Sequence, residues 1–147
     1  MRKRRLLGPL ALLFFVAACG DRLSSEELAA LAAEGYYRHL VAGEYEKFLE
    51  GRVGADSLPD SYREQLLTGY KQFMAQQQRA HHGIRDVRVS SVRTDSLSLS
   101  TTDRSSSSVT DNSSSSVTVF LLLTFGDSLR EEIAVPMVNY RGRWCLR

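Results

Sequence analysis

The spacing of apolar residues divides the chain into two parts. From residue 24 to about residue 82, apolar side chains recur every three or four positions, which is the period of an amphipathic helix. After Gly83 the period falls to two, and Val87 and Val89 alternate with charged residues as in a half-buried strand. The pattern predicts an α+β fold, in which three N-terminal helices pack on a curved antiparallel sheet of about four strands.

The first two predicted helices have recognisable ends. Ser24 can cap the first helix, Glu27 can complete a capping box, and Gly43 is a natural terminator. The apolar stripe predicted for this helix consists of Leu28, Leu31, Ala32, Gly35, Tyr36 and Leu40. The inward residues predicted for a short second helix are Tyr45, Phe48 and Leu49.

The third helix is predicted from about Pro59 to Ala80, because proline is tolerated in the first turn of a helix. Its predicted apolar face contains Tyr62, Leu66, Tyr70, Phe73 and Gln77, widened by Leu67 and Met74. His81 and His82 follow. Adjacent histidines leave a helix in different directions, whereas zinc needs three or four converging ligands. We therefore expect a pair at the helix end and no metal site.

Residues 117–125 (VTVFLLLTF) are apolar on both faces apart from two threonines, which is typical of a central strand covered on both sides. If Val119, Leu121 and Leu123 face the helices, Phe120 and Leu122 need cover on the outer face. A second copy of the chain or an envelope protein is the expected partner there.

The remaining strand signals are short. A phase slip at Ser90-Ser91 predicts a bulge, and turns are expected at Gly126-Asp127 and at residues 140–142. The last strand carries Trp144 and Leu146. Cys145 lies between them and is interpreted as a packed small hydrophobe without a disulfide partner.

The segment from residue 90 to residue 116 is rich in serine and threonine, which make up 17 of its 27 residues. Its second part, from about residue 100, contains too few apolar groups to offset the entropy of ordering. We expect a mobile hairpin tip or loop there, and the alternative is a glycosylated or adhesive stalk.

The first twenty residues have the three-part layout of an export signal. Basic residues at positions 2–5 precede an apolar stretch from Leu6 to Val16, and small residues follow. That stretch is shorter than the roughly 20 residues that span a bilayer. We therefore expect residues 1–18 to be a signal peptide that is removed, not a transmembrane anchor.

The end of this signal, Val16-Ala17-Ala18-Cys19, resembles a bacterial lipobox. The resemblance implies cleavage between Ala18 and Cys19, and a diacylglycerol and an N-acyl chain on Cys19, with residues 19–23 as a lipidated tether. Each buried methylene contributes about 0.8 kcal/mol, so two or three acyl chains hold a protein on a membrane. The alternative is an ordinary signal peptidase site in which the cysteine has no role.

Loss of the signal changes the charge balance. Of the 19 Lys and Arg residues, 15 remain against 17 Asp and Glu, so nucleic-acid binding loses its electrostatic support. Residues 20–22 lack the acidic run that resembles a surface-export signal of Bacteroidetes lipoproteins. We therefore expect a bacterial cell-envelope protein that is lipid-anchored at the outer membrane and faces the periplasm.

Three features together give a resemblance to a known fold. They are the Tyr36-Tyr37 pair, the sequence Gly43-Glu44-Tyr45, and a terminal strand pair formed by residues 135–138 and 142–144. Over residues 24–147 the chain is similar to the nuclear transport factor 2-like superfamily, and more narrowly to uncharacterised Bacteroidetes lipoproteins of that fold. The resemblance implies a cone with a pocket, in a superfamily that includes isomerases, dehydratases and non-catalytic binding modules.

A pocket enzyme of the isomerase or dehydratase kind needs a base and a phenol or acid beside it. The residues expected to line a pocket are Tyr36, His39, Tyr70 and Trp144. The only acid in the inward phase of a strand is Glu131, which we interpret as half of a solvated pair with Glu132. We therefore predict no catalytic residue and no cofactor beyond the lipid.

The favoured function is a lipid-anchored, non-catalytic module that binds a ligand or assembles with a protein. A pocket enzyme and a purely structural envelope protein are the alternatives.

Overall fold

The computed structural model describes residues 22–94 and 116–147. Three α-helices precede a four-stranded antiparallel sheet, so the predicted α+β fold is confirmed. The elements are α1 (Ser25–Val41), α2 (Tyr45–Glu50), a 3₁₀ turn (Ala55–Ser57), α3 (Asp60–His81), β1 (Ile84–Thr94), β2 (Ser116–Phe125), β3 (Arg130–Tyr140) and β4 (Arg143–Leu146). The predicted signal peptide, Cys19 and residues 95–115 of the serine-rich segment lie outside the described residues.

The sheet is a meander in which each strand pairs with the next along the chain. The register of β1 against β2 shifts twice, between Ile84 and Asp86 and between Val89 and Ser91. The second shift confirms the predicted bulge. The Glu34 carboxylate of α1 accepts a hydrogen bond from the Val89 N–H at 3.2 Å, so α1 is tied to β1 beside this irregularity. Bulges bend a strand and increase its twist, which helps the sheet curve around the helices.

The core lies between α1 and the inner face of the sheet. Val119 and Leu121 are fully buried and Leu123 is nearly so, as the alternation in β2 predicted. Phe120 and Leu122 lie on the opposite face and are half-buried. The central strand therefore has an inner face closed by helices and an outer face that is only partly covered.

The buried face of α1 differs from the prediction. Leu28 and Leu31, assigned to the apolar stripe, are 45% and 58% exposed. Ala29 and Ala33 are fully buried instead, and Leu40 continues the same face. Leu40, Ala32 and Tyr36 were assigned correctly to the core side. The prediction was wrong for Leu28 and Leu31 because hydropathy gives leucine more weight than alanine, whereas small side chains are what allow a helix axis to lie close to a sheet.

The ends of α1 follow the sequence signals. Ser24 Oγ accepts a hydrogen bond from the Glu27 N–H at 3.1 Å, and the Ser24 N–H donates to the Glu27 carboxylate at 2.6 Å. The predicted capping box is thus confirmed. Gly43, which has a φ of 78°, follows the helix end and allows the chain to turn into α2.

The last strand closes one edge of the sheet. The Leu146 N–H donates to Gly51 O at 2.8 Å, and the Val53 N–H donates to Leu146 O at 2.9 Å. Trp144 is buried in the core, and Cys145 is fully buried as a free thiol. The interpretation of Cys145 as a packed hydrophobe therefore agrees with its burial.

No residue of α3 is fully buried, although it is the longest helix in the described ranges. Tyr70 and Met74 pack against the core, but Tyr62 and Phe73 are exposed. The predicted apolar face is only half covered because α3 packs mainly on α2 and β1. Space therefore remains between this helix and the rest of the sheet.

Candidate active site or ligand-binding cavity

A cavity of about 450 Å³ lies between α3 and the inner face of the sheet. Its described lining comes from all three helices and from β1, β2 and β3, and most of the side chains are aromatic or aliphatic. Pockets of this size and character hold small organic molecules in other proteins. The cavity is therefore the candidate functional site.

A second concave region of about 330 Å³ lies on the surface where α2 and α3 meet. It is lined in part by Glu44, Lys47 and Lys71, which are exposed. Lys47 Nζ donates to the Glu44 carboxylate at 2.6 Å, and this ion pair contributes most to lowering the pKa of Glu44. Exposed, mutually paired charges are typical of a solvated surface, so the cavity beneath α3 is the stronger candidate.

One ring from each helix meets in the aromatic wall of the cavity. The Phe48 ring of α2 packs edge to face against Tyr37 of α1, with centroids 5.4 Å apart, and against Tyr70 of α3, with centroids 4.9 Å apart. Contacts of this geometry contribute about 0.5–1.5 kcal/mol each beyond the burial of area. The wall therefore links the three helices and fixes the shape of the cavity.

The hydroxyl of Tyr70 is buried and has no hydrogen-bond partner within the described residues. Burial raises the pKa of the neighbouring Tyr37 above its ordinary value, and the proximity of Tyr70 raises it further, against a smaller opposing effect of Arg52. Leaving a buried hydroxyl unpaired costs about 1–3 kcal/mol. The ring of Tyr70 lines the cavity, and its hydroxyl is a donor and acceptor that the rest of the described chain does not use.

Replacing Tyr70 with phenylalanine should leave the free energy of unfolding unchanged or raise it by about 1 kcal/mol, because the lost hydroxyl has no partner. The matched control is Tyr36→Phe. Tyr36 Oη donates to Trp144 O at 2.9 Å, so this change should lower the free energy of unfolding by about 1 kcal/mol. Urea unfolding of the two variants checks the difference, and an equal loss in both would contradict the unpaired state of Tyr70.

Glu131 places a carboxylate at the rim of this cavity. The register pairs Glu131 with Leu123 and places it on the same face of β3 as Ile133, so it follows the inward phase of the strand. Glu132 points to the other face, where its carboxylate accepts a hydrogen bond from Ser90 Oγ at 2.6 Å. Both glutamates are exposed, as expected of a solvated pair, but only Glu131 lines the cavity.

The C-terminal end of α3 is fastened to the turn between β2 and β3. The Asp127 N–H donates to His81 O at 3.1 Å, and the Asp127 carboxylate lies 2.8 Å from His81 Nδ1. The hydrogen bond from His81 and that from the Leu129 N–H hold the pKa of Asp127 below its ordinary value. Since α3 covers the cavity, this contact helps to set the width of its opening.

The lowered pKa of Asp127 makes this contact sensitive to acid. Its contribution to stability is complete above the unfolded-state pKa of about 3.8 and is lost as the pH falls through the lower folded-state pKa. We expect Asp127→Asn to be less stable than the wild type at about pH 6 and the difference to shrink at about pH 3. Urea unfolding at both pH values measures it, and a difference that does not change with pH would contradict the role of the carboxylate.

Of the four residues predicted to line a pocket, the structure places Tyr70 on this cavity and the other three elsewhere. The Tyr36 hydroxyl donates a hydrogen bond to the backbone of β4, and the Trp144 side chain is buried in the core. His39 is partly exposed at the end of α1, with Nδ1 2.5 Å from the Glu44 carboxylate. These four side chains are therefore not brought together.

Among the cavity residues outside the predicted pocket set, Tyr37 and Glu131 are the ones whose position the sequence pattern could have indicated. Tyr37 follows Ala29 and Ala33 at four-residue intervals, so the small-residue periodicity of α1 contains the signal for it. Glu131 lies on the same face of β3 as Ile133, Val135 and Met137. In both cases the position of the residue along its helix or strand predicts that it faces the cavity better than the residue type does.

Within residues 22–94 and 116–147, no three histidine, cysteine, aspartate or glutamate side chains stand close enough together to hold a metal ion. His81 is the last residue of α3 and His82 is its C-cap, in agreement with the predicted helix-end pair. Among the described helices, none has the length and hydropathy required to cross a membrane.

Comparison with solved structures identifies the fold. A Campylobacter jejuni protein provisionally described as an NTF2-like transpeptidase aligns with a TM-score of 0.51 and 12% sequence identity, over 78% of this chain and 92% of that protein. The described chain therefore has the nuclear transport factor 2-like fold suggested by its sequence. At this identity the likeness establishes the fold alone. No protein-family model and no curated protein matches the chain.

Proposed function

We propose that the protein is a lipid-anchored, extracytoplasmic binding module that holds a small apolar ligand in the cavity beneath α3. The observation that carries the proposal is a cavity of about 450 Å³ whose described walls are mostly apolar and include Tyr70, a residue whose hydroxyl has no hydrogen-bond partner among the described residues. A ligand would bury its apolar body against the rings, and a hydrogen-bonding group that reaches the hydroxyl would satisfy it.

The membrane part of the proposal rests on the sequence. Cys19 at the end of an export signal would carry the acyl chains after cleavage behind Ala18, and α1 begins only six residues later, at Ser25. A tether of this length would keep the cavity close to the bilayer. The proposed location is the periplasmic side of the outer membrane.

Labelling with radioactive palmitate tests the anchor. We expect the wild-type product to incorporate label and to fractionate with membranes, and Cys19→Ala to do neither. Cys145→Ala is the matched control, because it removes the other cysteine, which is buried far along the chain, and should keep the label. Equal labelling of the wild type and Cys19→Ala would overturn the anchor.

A neutral fluorescent probe, N-phenyl-1-naphthylamine, tests the binding function. Ile133 lines the cavity, so Ile133→Trp should fill part of the space and weaken probe binding at least about tenfold, a change of about 1.4 kcal/mol. Leu122→Trp adds the same ring on the outer face of the sheet and should leave probe affinity unchanged. Absence of probe binding to the wild type would contradict a ligand-binding cavity.

A pocket enzyme of the isomerase or dehydratase kind is the second candidate. The observation that favours it is that Glu131 and Tyr70 line one cavity, which brings a carboxylate and a phenol to the same space. The structural neighbour is described as a transpeptidase. Transfer of that kind commonly proceeds through a nucleophilic serine or cysteine, and none stands among the described residues that line the cavity.

The outer face of the sheet is the proposed surface for a second copy of the chain or an envelope protein. Phe120 is half-buried there, with the Arg93 guanidinium 5.6 Å from the centre of its ring. Analytical ultracentrifugation of Phe120→Asp tests this proposal, and a dimer in the wild type that the variant loses would support it.

A further inference from the structure

The charges of the cavity indicate which class of ligand it would select. We infer that the cavity binds organic cations, namely amines or ammonium compounds with an apolar body, in preference to neutral or anionic molecules of the same shape. The inference rests on the proposed binding function and specifies its ligand.

The first step concerns formal charge. Among the described residues that line the cavity, Glu131 carries the one carboxylate, and none is a lysine, an arginine or a histidine. Two basic side chains stand close to lining residues but outside the lining itself. Arg52 influences Tyr37 from outside the lining, and His81 is held by Asp127. A cationic group at the rim would therefore be attracted by a carboxylate, whereas an anionic group would be repelled by it.

The second step concerns the walls. Tyr37, Phe48, Tyr70, Phe73 and Phe125 all contribute to the lining. The face of an aromatic ring carries negative electrostatic potential, so a cation that lies over the face of one of these rings is attracted even without a salt bridge. Low-dielectric walls also focus the field of the single carboxylate into the cavity.

The third step concerns the polar groups inside. The Gln77 side chain, which lines the cavity, offers a carbonyl oxygen to an ammonium N–H, and the hydroxyl of the lining residue Tyr70, which has no partner among the described residues, is a second acceptor. An ammonium group is a donor without an acceptor, so these oxygens complement it. A neutral ligand would use the same oxygens but would gain nothing from Glu131.

A matched pair of ligands tests the inference. Biphenyl-4-ylmethylamine is a cation at neutral pH, and its N-acetyl derivative has the same rings without the charge. Both are titrated into the purified full-length chain by calorimetry, in phosphatidylcholine nanodiscs if the chain is lipidated, with empty discs subtracted. We expect the amine to bind about tenfold more tightly, the combined effect of a rim carboxylate and aromatic faces.

Two neighbouring variants identify the source of the preference. Glu131→Gln should reduce the tenfold preference to about threefold, while Glu132→Gln removes the same charge on the opposite face and should leave it unchanged. Equal affinity for the two ligands, or a preference that Glu131→Gln does not reduce, would overturn the inference and leave the binding function standing. If neither ligand nor the neutral probe binds, the binding function itself fails.

Discussion

Replacing Leu121 with alanine is expected to lower the free energy of unfolding by about 3–4 kcal/mol, the largest loss that we predict for a single substitution. Leu121 is fully buried at the centre of β2, with β1 and β3 paired on either side. Neighbouring strands fix its position, so the surroundings have little freedom to collapse into the space that the missing atoms leave. Urea or thermal unfolding measures the loss.

The control for this prediction is the next residue. Leu122→Ala removes the same atoms from the outer face, where the side chain is only half-buried, and should cost about 1 kcal/mol. Equal costs at the two positions would mean that the two faces of β2 are covered equally well. That result would indicate a partner on the outer face and would strengthen the assembly proposal.

The alternation in β2 was readable from the sequence because strand geometry leaves only two choices of face. Once Val119 and Leu121 were assigned inward, Phe120 had to point outward. The bulge near Ser90 was readable for the same reason, since a slip in a period of two is visible within a few residues.

The phase of α1 was not readable in this way. The face that packs on the sheet is selected by how closely the helix can approach, and Ala29 and Ala33 permit a closer approach than Leu28 and Leu31. The error is one residue, or about 100° of rotation about the helix axis, and it moved the predicted pocket residue from Tyr37 to Tyr36. A tertiary constraint of this kind is absent from the hydropathy of a single helix.

The cavity was the least predictable feature. It arises from the space between α3 and the sheet, and that space depends on how the far end of the helix is held. Tyr70 was foreseen because it lies on the apolar face of α3, whereas the rim residue Glu131 was interpreted as part of a charged turn. The position of Glu131 in the alternation of β3 places it on the cavity, whereas its charge alone predicts only an exposed side chain.

The second large prediction concerns Gly126→Ala, in the turn between β2 and β3 that packs against the C-terminal end of α3. A Cβ atom at this position would lie 2.5 Å from His82 O and 2.7 Å from His82 Cβ, and real Cβ atoms do not approach backbone so closely. The chain cannot simply move apart, because the Gly126 N–H donates to Gly83 O at 2.8 Å. We expect a loss of about 2–3 kcal/mol in the free energy of unfolding.

The same substitution should also affect the cavity, because separating the β2–β3 turn from the end of α3 widens the space that the helix covers. Binding of the neutral probe should therefore weaken in Gly126→Ala under conditions where the protein remains folded. Gly69→Ala is the control: it lies within α3, its Cβ would meet nothing within 4 Å, and it should raise the free energy of unfolding by about 0.5–1 kcal/mol without changing probe affinity. If Gly126→Ala unfolded as the wild type does and bound the probe equally well, the end of α3 would not be what sets the cavity.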